Sequence, residues 1–158
     1  MKQFVKFIPV LFALFLFACG SGGDKDTASD EGSANEPVES MVADEVDPMD
    51  AIGVGPITSL DLPETVDADM AANGETIFKE KCLACHRTDT KFIGPPVKGI
   101  LERRSPEWVM NMILNPDEMV QKDPLAKKLL QEFNGSPMAN QNLTEEEARS
   151  VLEYFRTL

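Results

Sequence analysis

A chain of 158 residues has room for one domain, and its 27 acidic and 15 basic residues give a net charge of −12 at pH 7. The acidic excess lies in residues 20–73, which contain fourteen Asp or Glu and one Lys. Residues 74–158 contain thirteen acidic and twelve basic residues. The charge therefore belongs to one segment, and no nucleic-acid partner is expected for the nearly neutral remainder.

The first nineteen residues have the pattern of a bacterial export signal. Two lysines precede an apolar run over residues 7–18, which has the length of a signal peptide and is too short to span a membrane. Residues 16–19, Leu-Phe-Ala-Cys, resemble a lipobox, although Phe17 stands where a small residue is usual. We predict a lipoprotein signal peptide over residues 1–19 with Cys19 as the lipidation site. The alternative is an ordinary signal peptide with an incidental cysteine.

Residues 20–66 are predicted to form an acidic, flexible tether. Residues 20–50 are rich in Asp, Glu, Ser, Gly and Ala, contain no aromatic residue, and cannot bury enough apolar surface to offset chain entropy. Residues 52–63 are more apolar but are interrupted by Gly and Pro, which predicts an extended path along the domain. A flexible segment of this length reaches on the order of 40 Å, enough to swing a small domain between neighbours.

The remaining segment, residues 67–158, is predicted to be an all-α domain. Asp67 is placed to cap a first helix that runs to Lys81, and Thr144 opens a last helix with a capping box. A glycine inside the first helix, Gly74, costs about 1 kcal/mol relative to alanine. We therefore expect the last helix to approach closely at this glycine.

Two further helices are predicted between the terminal ones, giving about four in all. The first spans residues 105–115, where Pro116 is expected to stop it. The second spans residues 123–133 and is expected to end near Gly135. No alternating strand pattern is present in this part of the sequence.

A C-x-x-C-H run, formed by Cys82, Cys85 and His86, follows the first helix. This spacing is typical of c-type haem attachment, because two cysteines three positions apart can each form a thioether while the adjacent histidine ligates the iron. A redox dithiol would require a βαβ pattern, and a zinc site would require a second pair of ligands. Neither is present, since Cys19 lies 63 positions upstream of Cys82. The motif predicts one covalently bound haem c.

Other motifs of one family occur in chain order around this run. They are Gly74 and Phe78, Gly94-Pro95, Met138, and Leu152-x-Tyr154-Phe155. Together they resemble a class I cytochrome c over residues 67–158, with the helices surrounding the haem. The resemblance implies that the Pro95 carbonyl supports the His86 imidazole. The sequence departs from the family where Pro137 precedes Met138 instead of following it, and in the extra helix over residues 123–133.

Met138 is the predicted sixth iron ligand. His86 is the only histidine, so two histidines cannot ligate the iron within one chain, and the remaining candidates are methionine, lysine or no ligand. Met138 lies 52 residues further on, in the loop between the last two predicted helices. We interpret Met110, Met112 and Met119 as packing residues, because their positions fit helical spacing.

A single haem with both axial positions filled has no open site for substrate, so its available chemistry is one-electron transfer. We therefore predict a lipid-anchored electron carrier on the periplasmic side of a bacterial membrane, not an enzyme. Its predicted donor is a membrane quinol-oxidising complex, and its acceptor is a terminal oxidase or reductase, such as a nitrogen-oxide reductase. The alternative is a gas-binding or ligand-binding sensor with a weak or vacant sixth position. A peroxidase is disfavoured, because the chain has one haem motif.

Overall fold

The computed structural model describes residues 46–158, which form five α-helices and contain no β-strand. The helices are α1 Ala68–Ile77, α2 Pro106–Leu114, α3 Pro116–Lys122, α4 Pro124–Glu132 and α5 Glu145–Phe155. A π-helical turn, Phe78–Cys82, continues α1, and a 3₁₀ turn, Ile100–Glu102, precedes α2. The all-α prediction is confirmed. Within this part of the chain, no helix combines the length and apolar character needed to cross a membrane.

Helix α1 begins where the sequence predicts. The Asp67 carboxylate accepts hydrogen bonds from the backbone N–H groups of Asp69 and Met70, at 3.1 and 3.0 Å, and so satisfies two donors that have no partner within the helix. At the other end, the N–H of Leu83 donates to the carbonyl of Phe78 at 3.1 Å, which is the five-residue spacing of a π turn. This turn carries the chain from the buried face of α1 into the C-x-x-C-H motif.

Helix α5 begins with the predicted capping box. The Thr144 hydroxyl accepts the N–H of Glu147 at 3.2 Å, while the Glu147 carboxylate accepts the N–H of Thr144 at 2.9 Å. The helix then packs against α1 through an aromatic cluster, in which the Phe78 ring lies 5.5 Å from Tyr154 and 5.7 Å from Phe155 between centroids. These contacts join the two ends of the domain.

The three middle helices each have proline in the first turn. The sequence predicts that Pro116 stops α2, and it predicts about four helices. The additional helix is α3. The chain does turn at Asn115, but Pro116 then begins α3, since a proline has the φ angle of a helix and lacks only an N–H that a first turn leaves unpaired. Asp123 ends α3 and caps α4, and its carboxylate also accepts the indole N–H of Trp108 at 3.1 Å.

Residues 46–66, which we call the N-terminal strap, pack along the helices instead of forming part of a flexible tether. Ala51 and Ile57 are buried in the core. The packed part of the domain therefore begins by residue 46, not at residue 67, and this corrects the predicted boundary. The strap lies along the helices, as expected for residues 52–63, but its chain bends at residues 54–56 and 58. Residues 1–45, which contain the predicted signal peptide and Cys19, lie outside the described part of the chain.

The second half of the strap is tied to α5 by two arginines. Arg149 donates to the carbonyl of Asp61 at 3.1 Å, and Arg156 donates to the carbonyl of Glu64 at 3.0 Å. Both guanidinium groups also pair at 2.7 Å with Glu153, whose side chain is fully buried. Side chains of the helices thus satisfy backbone groups that an extended segment cannot satisfy by itself.

Candidate haem site

A mostly apolar cleft of about 750 Å³, including its open mouth, lies between the C-x-x-C-H motif and the second half of the domain. The motif and the Gly94-Pro95 segment line the cleft together with residues of helices α2 to α4 and of the loop before α5. The cleft brings together five of the six predicted site residues, namely Cys82, Cys85, His86, Pro95 and Met138.

The His86 ring is held by the Gly94-Pro95 segment. Its Nδ1 lies 2.9 Å from the carbonyl oxygen of Pro95. Because a carbonyl oxygen can only accept, Nδ1 carries the proton, and Nε2 is left with the lone pair that an iron ligand needs. The N–H of Gly94 also donates to the carbonyl of Cys85 at 2.8 Å. A Cβ on Gly94 would lie 2.5 Å from Cε1 of the histidine ring, so only glycine allows this close approach.

The two motif cysteines lie in a tight turn at the end of the π-helical segment. The N–H groups of Cys85 and His86 both donate to the carbonyl of Cys82, at 3.1 and 2.9 Å. Burial raises the pKa of the Cys82 thiol to about 11, whereas Cys85 is exposed. A sulfur that stays neutral in an apolar wall suits a thioether, and both thiols are free of any disulfide.

Two methionines also line the cleft. Met138 is partly buried and comes from the loop before α5, and Met112 comes from α2. Met112 packs against the core, as expected, and it also lines the cleft, which helical spacing alone does not show. Met110 and Met119 are buried in the core, where they were expected.

The loop that carries Met138, residues 134–143, is shaped by left-handed backbone. Asn134 and Gly135 have φ angles of 57° and 72°, and the N–H of Gly135 donates to the carbonyl of Leu130 at 2.8 Å. This ends α4 as predicted. Further along the loop, the Asn140 amide donates to the carbonyl of Leu114, the last residue of α2, at 3.3 Å. That bond ties the methionine loop to α2.

The donor set of the cleft fits a covalently attached haem. Two thiols at the required spacing, an imidazole with a free Nε2 and two methionines line the same cleft. Aliphatic and aromatic side chains line most of the remaining surface, as a large apolar macrocycle requires. The residues that line the cleft therefore fit this group.

Three large apolar side chains near the motif and the Gly94-Pro95 segment are exposed. Leu83, Phe92 and Ile93 are between one third and one half exposed, and Ile93 lines the cleft. The Arg87 guanidinium lies 4.0 Å from the centre of the Phe92 ring. Lys81 also lines the cleft. We call Leu83, Phe92 and Ile93 the apolar rim.

An all-α domain whose cleft gathers a C-x-x-C-H motif and methionine sulfurs is that of a c-type cytochrome. The chain belongs to the cytochrome c family, whose family model matches residues 71–158. It is thus a class I cytochrome with covalently bound haem c, and it carries electrons as this family does. Proteins of the family are in general electron carriers and not enzymes.

Several relatives share most of this domain. Cytochrome c-551 of Stutzerimonas stutzeri is 32% identical over 94 residues, which are 56% of this chain and 80% of that protein. The structure of a cytochrome c from Rhodothermus marinus is 45% identical, with a TM-score of 0.63 over 65% of this chain and 88% of the other. A cytochrome c domain from Pseudomonas putida is 31% identical, with a TM-score of 0.50 over 53% and 85% of the two chains.

Proposed function

We propose that this cytochrome transfers single electrons in a periplasmic respiratory chain, with His86 and Met138 as its axial iron ligands. Cys82 and Cys85 attach the haem. The carrier accepts electrons from a membrane quinol-oxidising complex and delivers them to a terminal oxidase or reductase, such as a nitrogen-oxide reductase. The observation that carries the proposal is that the oriented imidazole and the loop methionine share a single cleft.

The chemistry divides between the cofactor and the chain. The bound haem supplies a one-electron exchange between ferric and ferrous iron. The Pro95 carbonyl holds the His86 ring in one tautomer and one orientation. A Met138 thioether on the iron favours the ferrous state and raises the reduction potential. The apolar walls exclude water from the iron. With both positions occupied, no site remains for a substrate, which supports a carrier over an enzyme.

Donor and acceptor are proposed to dock at the rim of Leu83, Phe92 and Ile93. An electron must enter and leave where the cofactor edge is nearest to the surface, and Ile93 both lines the cleft and is about half exposed. Nearby lysines are partly neutralised, since Lys79 pairs with Glu75 at 2.8 Å and Lys98 lies 3.4 Å from Asp89. Apolar contact therefore contributes more to docking here than a strong charge does.

Oxidation of the reduced protein by membranes of its source cell tests the proposal. We expect oxidation when oxygen or a nitrogen oxide is offered, and the acceptor that acts fastest identifies the terminal enzyme. Phe92→Glu should slow this oxidation by on the order of tenfold, as the loss of a central apolar contact does, without changing the haem spectrum. Met49→Glu is the matched control, because Met49 is a similarly exposed apolar residue in the strap.

Two results would contradict the carrier proposal. One is that membranes oxidise the protein with none of the acceptors. The other is that the wild type binds carbon monoxide readily at neutral pH, which requires a weak or vacant sixth position. The second result would favour the ligand-binding alternative.

A lipid anchor at Cys19 is proposed to hold the carrier at the membrane. Members of this family are typically exported, and residues 16–19 supply the lipobox-like pattern. Acyl chains contribute about 0.8 kcal/mol per buried CH₂, so several of them hold a small domain firmly.

Cys19→Ser should release a soluble haem protein or block processing of the precursor. Fractionation of cells into membranes and soluble periplasm measures this, with Ser21→Ala as the control that keeps the cysteine. A wild-type protein recovered entirely in the soluble fraction after export would show that the lipobox assignment is wrong.

A further inference from the structure

A single buried amide clamps the first half of the strap onto α2. Asn111 is fully buried, and its Nδ2 donates to the carbonyl oxygens of Ile52 and Ile57, both at 2.8 Å. Its Oδ1 accepts the N–H of Ile57 at 3.0 Å. The carbonyls can only accept and the N–H can only donate, so both amide hydrogens and the amide oxygen are committed to the strap.

The strap is also tied to the turn between α2 and α3 and to the start of α3. The N–H of Val54 donates to the sulfur of Met119 at 3.0 Å, and the carbonyl of Val54 accepts from the Asn115 amide at 3.3 Å. Residues 52–57 therefore have helix side chains as partners for several of their backbone groups. The strap braces α2 and α3 together.

Glycines allow the strap to approach this closely. Gly53 has a φ angle of 73°, and a Cβ there would lie 2.7 Å from the sulfur of Met119. A Cβ on Gly55 would collide with the amide group of Asn111. A side chain at either position would push the strap away from the helices.

The braced helices also line the haem cleft. Asn111 contacts the strap, and its neighbour Met112 lines the cleft. In α3, Met119 contacts the strap, and its neighbour Val120 lines the cleft. One layer of helix thus separates the strap from the cofactor.

Helix α2 is connected in turn to the loop that carries the predicted sixth ligand. The carbonyl of Leu114 accepts the Asn140 amide at 3.3 Å, two residues beyond Met138. Asn140 is itself exposed and also accepts the N–H of Asn142 through its Oδ1 at 2.7 Å. The position of α2 therefore sets the position of the loop.

We propose that Asn111 is a positioning residue for the iron site. By clamping the strap to α2 it holds the methionine loop against the haem and protects the sixth ligand from displacement by exogenous ligands. The inference rests on the proposed role of Met138 as that ligand. It gives the strap a role in cofactor chemistry beyond covering the core.

Titration of the ferric holoprotein with imidazole, a ligand that competes with the methionine sulfur, tests the proposal. Asn111→Ala and Gly55→Ala should each raise the affinity for imidazole by about tenfold, which lies within the usual range of coupling between sites. Met138 itself is unchanged in both variants. Gly55→Ala disturbs the same contact between Asn111 and the strap, but by a change in the strap. It therefore still tests the proposal if Asn111→Ala folds poorly.

The double variant separates the clamp from unrelated damage. In the Asn111→Ala background, the amide that a Cβ on Gly55 would strike is gone. The two substitutions should therefore be non-additive, and the double variant should bind imidazole little better than Asn111→Ala alone. If the gain in imidazole affinity of the double variant equals the product of the two single gains, the contact between Asn111 and the strap is not their common cause.

Val151→Ala controls for a general loss of stability. Val151 is buried on α5, and it does not line the cleft. It should lower the thermal midpoint and leave the imidazole affinity unchanged. The inference is wrong if the imidazole affinity rises in every variant in proportion to the fall in thermal midpoint. It is also wrong if the imidazole affinity does not change in the Asn111 and Gly55 variants. Failure of the proposed ligand assignment looks different, because the near-infrared sulfur-to-iron band would then be absent from the wild type or would survive in Met138→Ala.

Discussion

Met138→Ala is expected to abolish the weak near-infrared sulfur-to-iron band and to lower the reduction potential by on the order of 100 mV, within the range of about 0.8 V that axial ligands set. A thioether stabilises ferrous iron relative to ferric iron, and its removal leaves water or no ligand in its place. The variant should also bind carbon monoxide, which the wild type should not do readily at neutral pH. Absorption spectroscopy and potentiometric titration measure these changes.

Met112→Ala is the matched control, because this methionine lines the same cleft from α2. It should keep the near-infrared band and shift the potential much less, since it removes a wall contact and not a ligand. The assignment would be overturned if the band were lost in Met112→Ala and kept in Met138→Ala.

Gly74→Ala is expected to lower the free energy of unfolding by about 3 kcal/mol, the upper part of the usual range for overpacking. Gly74 is buried where α1 crosses α5, and a Cβ there would collide with the backbone carbonyl of Ser150. Backbone atoms of a helix cannot move aside as a flexible side chain can, so the two terminal helices must separate. Denaturant unfolding of the holoprotein measures the loss.

The sign of the change in the free energy of unfolding in Gly74→Ala shows whether helix packing or helix propensity dominates. By propensity alone, alanine in place of a helical glycine would stabilise α1 by about 1 kcal/mol. Ala72→Gly makes the reverse change at an exposed position of the same helix and should cost about that amount. A Gly74→Ala variant that is more stable than the wild type would show that the helices do not meet closely at this residue.

Short-range chemistry explains which parts of the fold could be predicted. The caps at Asp67 and Thr144 depend on side chains that bond backbone groups within three residues, so the sequence shows them directly. The haem motif is equally local, because Cys82, Cys85 and His86 lie within one turn of chain. Their places in one cleft follow from that spacing, whereas Met138 as sixth ligand stays a prediction.

Pro116 shows where a local signal has two meanings. A proline ends one helix by lacking an N–H and can begin the next for the same reason. The buried face of α3, with Met119 inside the core, decides between them. Met112 is ambiguous in a similar way, since only the packing of α2 determines whether its sulfur faces the core or the cofactor.

The amino-acid sequence alone determined the class of fold, the covalent cofactor and the capped ends of α1 and α5, because each depends on residues close together in the chain. Tertiary structure alone decided that residues 46–66 belong to the domain. Their composition resembles a tether, and their order comes from distant partners such as Asn111 and Arg149. A polar backbone that is satisfied by side chains more than fifty residues away leaves no periodic pattern in its own sequence.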